Sequence, residues 1–177
     1  MKNIIAFAGS NSKKSINKKL ASYAADLVED VKVNVLDLNE FELPLYGIDY
    51  EVEHGIPDNA HKFLNLIKSS DGIILSLAEH NGAYSAVFKN LFDWMSRAEK
   101  NVWYDKPMLL MAAAPGGRGG QSVLEIAQGK FPRMGANITG VFSLPFFQKN
   151  FLDKKIIDKD LNKELMQAVA EFSEAIK

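Results

Sequence analysis

The sequence predicts an α/β fold: a doubly wound, five-stranded parallel sheet flanked by helices. Short apolar runs alternate with helix-period stretches five times along the chain. Three of those runs are apolar nearly throughout, as expected of parallel strands covered on both faces. The 177 residues, 47% of them hydrophobic, suffice for one domain with a substantial core, so residues 1–177 are expected to form a single unit.

Asn3 to Ala8 (NIIAFA) reads as the first strand. It runs through Gly9 to Asn17 (GSNSKKSIN) into a helical pattern from Asn17 to Glu29, where Leu20, Ala24 and Leu27 share a face. Val31 to Leu36 (VKVNVL) is the second strand. Leu43 to Pro57 is rich in turn formers and aromatics and reads as a loop over one edge of the sheet. A helix follows from Asp58 to Ser69, then a third strand, Gly72 to Leu77 (GIILSL), and a helix from Ser85 to Arg97 with Val87, Leu91, Trp94 and Met95 on one face. Met108 to Ala114 is the fourth strand, Gln121 to Phe131 a helix, Ile138 to Leu144 the fifth strand, and Asp160 to Ile176 the last helix. Ligands of such sheets bind beyond the carboxyl ends of the strands, where the winding reverses.

Composition narrows the function. Lysine and arginine number 21 against 22 acids, a net charge of -1, so no overall positive field favours nucleic acid or an anionic membrane. The absence of cysteine excludes disulfides, thiolate catalysis and cysteine metal sites, and leaves any redox chemistry to a bound cofactor. The opening MKNIIAFAGS holds an apolar run too short for a signal-peptide core, and no later run reaches bilayer length; the expected location is cytoplasmic. His54 and His61 form no metal-binding spacing, and no metal site is expected.

Three loops then read as one site. In the first, Ser10, Ser12, Ser15 and Asn17 carry hydrogen-bonding side chains at a helix start, where backbone amides and the helix dipole favour an anion such as a phosphate monoester. The same residues also suit a plain turn in which Ser15 or Asn17 caps the helix. The loop is neither GxxxxGK[ST] nor GxGxxG. The second, Ala78 to Arg97 (AEHNGAYSAVFKNLFDWMSR), turns through Asn81-Gly82 and leaves His80 and Tyr84 to line a flat pocket. The third, Pro115 to Gly120 (PGGRGG), lets backbone approach a planar ligand.

Together these stretches resemble the NADPH-dependent FMN reductase family of flavodoxin-like proteins, which includes quinone, azo-dye and chromate reductases. The middle stretch is the specific one. Glu79, Asn81, Gly82, Lys89, Asn90, Asp93, Trp94, Ser96 and Arg97 fall in register with that family's P-E-Y-N-G-S-x-P-x-x-x-K-N-x-x-D-W-x-S-R signature. The resemblance implies a flavodoxin-like strand order, 2-1-3-4-5. It implies that Ser10, Ser12, Ser15 and Asn17 hold the FMN phosphate, that Glu79, His80, Asn81 and Gly82 line the ribityl chain and ring edge, and that Pro115, Gly116 and Gly117 offer backbone to the pyrimidine end.

The implied activity is hydride transfer from NADPH or NADH through FMN to small-molecule acceptors such as quinones, azo compounds, flavins or metal oxyanions, with no side chain as catalytic acid or base. A homodimer, or a homotetramer built from two dimers, is also implied. Trp103 and Tyr104 are candidates to cover a neighbouring subunit's flavin or to sit exposed at a dimer seam. Asp93 and Arg97 are spaced as a surface pair. Departures from the pattern include Ser12, where the family often has arginine, together with Ala78, His80, Ala83 and Ser85. Two alternatives remain at this level: a flavodoxin-like electron carrier, and a module of the same fold with weak or lost flavin binding.

Overall fold

The computed structural model describes residues 1–177. Its elements are β1 (Lys2–Gly9), α1 (Ile16–Asp26), β2 (Val31–Leu36), α2 (Ile48–His54), α3 (Asp58–Ser69), β3 (Gly72–Leu77), β4 (Glu79–His80), β5 (Ala83–Tyr84) and α4 (Ala86–Ala98). They continue with β6 (Pro107–Ala113), α5 (Gln121–Lys130), β7 (Asn137–Leu144), α6 (Phe147–Asn150), β8 (Phe151–Leu152), β9 (Lys155–Ile156) and α7 (Lys159–Ala175).

The main sheet has the order β2-β1-β3-β6-β7 with every pairing parallel, which is 2-1-3-4-5 when its strands alone are counted. The predicted fold class and strand order both hold. Alternation along each strand divides the core between the two faces of the sheet. Ile5, Phe7, Ile73, Leu75, Met108 and Leu110 point to the side covered by α3, α4 and α5, where Phe63, Phe88, Phe92, Trp103 and Phe131 pack. Ile4, Ala6, Ile74, Leu109 and Met111 point to the side covered by α1 and α7, against Leu20, Ala24, Leu165 and Phe172. The three central strands are buried along almost their whole length, which explains their unbroken apolar runs. No helix is long and apolar enough to cross a membrane.

Three departures from the sequence reading lie outside the ligand-binding loops. The Leu43 to Pro57 stretch is not all loop, because α2 forms within it between Gly47 and Gly55. Leu45, Ile48 and Val52 remain exposed there, so the chain has no buried stripe from which a helix could be read. Trp103 is fully buried beside Phe92 and Phe131, with Tyr104 packed against the same cluster, so Trp103 is core rather than a surface aromatic. Arg97 pairs with Glu51 on α2 (Nε to Oε2, 2.8 Å), while Asp93 takes Lys89 (2.7 Å).

Gly140 on β7 faces α7 at very close range: a Cβ there would lie 2.9 Å from the Ala168 carbonyl oxygen. Neither that backbone nor the sheet has room to yield, so Gly140→Ala is expected to lower stability by about 1–3 kcal/mol through overpacking. Denaturant unfolding measures the loss, and a stability equal to wild type would contradict this account of how α7 docks.

Candidate functional site

The winding reverses between β1 and β3, and the loops that follow β1, β3 and β6 converge there. Below them lies a buried polar tie. The Asn17 side chain donates from Nδ2 to the Ala113 carbonyl (3.1 Å), while its Oδ1 accepts from the Ala113 N–H (2.8 Å) and the Ser76 hydroxyl (2.7 Å). One amide on α1 thus joins the ends of β3 and β6, with both lone pairs of its oxygen and one of its two N–H donors in use. Asn17 is 3% exposed.

Above this tie the first loop forms a tight turn. The Ser12 N–H donates to Ser10 Oγ (3.2 Å), the Lys14 N–H to Ser12 Oγ (3.3 Å), and the Ser15 N–H to the Ser12 carbonyl (3.1 Å). Ser15 caps α1 by accepting from the Lys18 N–H (3.1 Å). Ser12, Lys13 and Lys14 are exposed beside the first-turn amides that helix geometry leaves without intrahelical acceptors.

The second loop is a miniature hairpin, β4 and β5 joined by Asn81 and Gly82 at φ +52° and +76°. Both central residues lie in the left-handed region, the geometry that an Asn-Gly pair adopts most readily in a two-residue turn. Glu79 accepts from the Val123 N–H through Oε2 (3.0 Å), tying the hairpin to the first turn of α5. His80 is exposed at the rim. Tyr84 turns the other way, into the aromatic core against Phe88 and Phe131, so it does not line the cleft. Its hydroxyl is buried without a partner, and burial pushes its pKa up to about 12. Ser85, standing where the related pattern has proline, caps α4: its Oγ donates to the Gly9 carbonyl (2.6 Å) and accepts from the Phe88 N–H (3.3 Å). The first and second loops are thereby joined.

The third loop leaves β6 through Ala114 and Pro115 into exposed Gly116 and Gly117. Gly119 and Gly120 are buried with φ +58° and +81°, and a Cβ on Gly119 would meet Ser143 Oγ at 2.2 Å. Glycine is required there to turn the loop back into α5. Arg118 donates to Ser122 Oγ (3.0 Å).

The three loops enclose a cleft of about 230 Å³ whose walls include Ser10, Ser12, Lys14, Ser15, Asn17, Ala78, Glu79, His80, Ala113 and Pro115. Asn81, Gly82, Gly116 and Gly117 do not line the cleft; they lie on the second and third loops beside it. One end of the cleft carries hydroxyls, a helix start and an ammonium group; the other carries exposed backbone.

The sheet order and this cleft define a flavodoxin-like fold with its ligand site at the winding reversal. Residues 2–149 match the family described as NADPH-dependent FMN reductase, and the chain belongs to that family. It is 31% identical over 130 residues to a probable NADPH:quinone oxidoreductase of Oryza sativa subsp. japonica, covering 71% of this chain and 64% of that protein. It is also 31% identical over 140 residues to an NADPH azoreductase of Bacillus sp. (strain OY1-2), covering 79% and 70%. With the rice protein, as with a quinone reductase of Escherichia coli (strain K12), the match spans less than two thirds of the relative's length. In fold, the chain superposes on a flavoenzyme NAD(P)H:(acceptor) oxidoreductase from Paracoccus denitrificans with a TM-score of 0.78 at 23% identity, covering 99% of this chain and 97% of the other.

Family membership implies FMN and NAD(P)H. The residues fit an FMN phosphate: Lys14 lines the cleft and supplies the positive charge that serine lacks at position 12. Two residues singled out in the sequence have structural duties that spacing did not reveal, since Asn17 bonds to Ser76 and Ala113 and Glu79 caps α5. Asn90 and Trp94 are occupied too. Asn90 Oδ1 accepts from the Tyr46 N–H (2.8 Å), and Asn90 Nδ2 and Trp94 Nε1 donate to the Pro44 carbonyl (3.0 and 2.8 Å), so both anchor the chain ahead of α2.

Replacing Asn17 by alanine strands the buried Ser76 hydroxyl and Ala113 N–H at the floor of the cleft. Asn17→Ala is expected to lower stability by about 2–4 kcal/mol, the sum of lost bonds and unsatisfied buried groups. Thermal and urea unfolding test this; a cost within about 0.5 kcal/mol of zero, the range of ordinary surface substitutions, would show that the tie does not hold the loops together.

Proposed function

We propose that this protein is an NAD(P)H-dependent FMN oxidoreductase that reduces small electron acceptors, quinones and azo compounds foremost, and works as one FMN-binding domain in the cytoplasm. The observation that carries the reading is the convergence of three loops at the winding reversal, with Ser10, Ser12, Lys14 and Ser15 at one end of the cleft and the backbone of Pro115 to Gly117 beyond the other. In this reading the serine hydroxyls, the Lys14 ammonium and the first amides of α1 bind the phosphate. Asn17 acts from below, holding the first and third loops at a constant separation, and Glu79 holds the second against the third.

Bound in this cleft, FMN supplies the two-electron chemistry between NAD(P)H and acceptor. The chain's own residues bind and orient it. His80 and the Asn81-Gly82 turn border its ring edge, and exposed Gly116, with open space where a Cβ would stand, leaves room for a planar group to lie against backbone, while Gly117 packs under the Phe146 ring. No acid or base is required of a side chain, because hydride transfer to a flavin needs orientation and electrostatics rather than a proton relay from the protein. The names of the rice, Bacillus and Escherichia coli relatives support quinones and azo compounds as the acceptor class.

The test is a visible absorbance spectrum after incubation with FMN and desalting, followed by anaerobic NADPH and, separately, NADH. A retained flavin band that bleaches promptly is the expected outcome, with the faster donor identified directly. A band that persists would favour an electron carrier, and failure to retain flavin would favour a module without the chemistry.

We further propose a homodimer through the face of α2. Leu45, Ile48 and Val52 are 84%, 55% and 81% exposed on a segment that Asn90, Trp94 and Arg97 pin to α4, a contiguous apolar surface of the kind that marks protein contacts. Light scattering on the eluting protein should give twice the 19.7 kDa chain mass, and Val52→Asp with Leu45→Asp should return it to the monomer mass.

A further inference from the structure

A second recess adjoins the cleft on the far side of α1. It is a groove of about 550 Å³ between the outer face of α1 and the segment formed by α6 and the β8–β9 hairpin. Lys19, Ser22, Tyr23 and Asp26 line it from α1 at positions three, four and seven apart, so they form one stripe down the helix. The opposite wall is aromatic. Phe147 and Phe151 stack at 4.8 Å between centroids, and Tyr23 meets Phe151 edge-on at 5.6 Å. Tyr23 is held there by donating its hydroxyl proton to Asn162 Oδ1 (3.1 Å).

The rim is cationic. Five lysines line the groove against two acids, Asp26 and Asp153, in a chain whose overall charge is -1. Lys18 is engaged with Asp37 at 2.6 Å, but Lys13, Lys14, Lys19 and Lys154 enter no ion pair. Lys154 is set on the rim by the hairpin turn, where Asp153 and Lys154 both hold left-handed φ, +48° and +62°. Asp26 lies at the far end of the helix from Lys13 and Lys14. Positive charge is therefore concentrated at the end where the dipole of α1 adds to it.

An aromatic wall with unpaired ammonium groups at one end suits a ligand with a flat ring joined to an anionic group. The volume falls within the range of small-molecule sites. We infer that this groove binds a nucleoside phosphate, its base against the part-exposed Phe151 ring and its phosphate among Lys13, Lys19 and Lys154. The groove shares only Lys14 and Ser15 with the cleft, so the inference stands whether or not the cleft takes a flavin. Free mononucleotides and the adenosine 2′-phosphate end of a dinucleotide share this chemistry.

Calorimetric titration of the protein with AMP, adenosine and 2′,5′-ADP, with and without saturating FMN, tests it. AMP should bind at one saturable site that FMN does not block, adenosine should bind far more weakly, and added salt should weaken AMP. Lys19→Gln and Lys154→Gln, both at exposed positions without partners, should each weaken AMP by about tenfold while leaving unfolding unchanged. Tighter binding of 2′,5′-ADP, with competition by NADPH, would assign the groove to the dinucleotide tail; AMP binding that NADPH does not displace would assign it to free mononucleotides. Absence of saturable AMP binding would overturn the inference. So would AMP binding that FMN abolishes and the two lysine variants leave intact, because the phosphate would then sit in the cleft.

Discussion

One buried amide sets the geometry on which the rest of this site depends. Asn17 belongs to a helix on one face of the sheet, yet its side chain bonds to the ends of two strands, β3 through Ser76 and β6 through Ala113. A parallel sheet delivers its loops to one edge but does not by itself set how far apart they stand. Here that separation is fixed by hydrogen bonds among buried groups, where an unmade bond is expensive. Ser85 repeats the device on the other face, reaching from the start of α4 to the carbonyl of Gly9. The upper surface of the cleft stays exposed and polar, while the layer beneath it is buried and hydrogen-bonded.

This division explains what was legible in the sequence. The sheet was legible because the core strands are covered on both sides and therefore cannot interrupt their apolar runs, as GIILSL and MLLMAAA show. The Asn81-Gly82 turn was legible because few dipeptides accept two successive left-handed residues. α2 was not legible: its apolar residues face outward, so a pattern of burial cannot betray it. The small β8–β9 hairpin escaped for a related reason, since its turn, Asp153-Lys154, contains no glycine.

Among site residues the sequence identified positions better than duties. Serines at a helix start announce hydrogen bonding, and Ser15 takes the capping role that the sequence also suits, accepting from the Lys18 amide. Asn17 and Glu79 have side chains suited to a ligand, and whether protein atoms claim them first depends on partners 96 and 44 residues away. Tyr84, beside the Asn81-Gly82 turn, and Trp103, in the loop ahead of β6, gave the opposite error, as aromatics that the fold draws into its core. Lys14, two residues after the serine that stands in arginine's place, is the lysine of that loop that lines the cleft.

The stretch from Lys89 to Arg97, where the chain falls in register with the related signature, lies on a helix several of whose polar residues hold another segment. Asn90 and Trp94 grip the carbonyl of Pro44, and Arg97 grips Glu51. The family's signature is thus a record of carpentry more than of chemistry. A descendant of this fold that had lost all affinity for flavin would keep the same letters for as long as it kept the same joint, whereas the cleft could drift one serine at a time and leave the signature untouched.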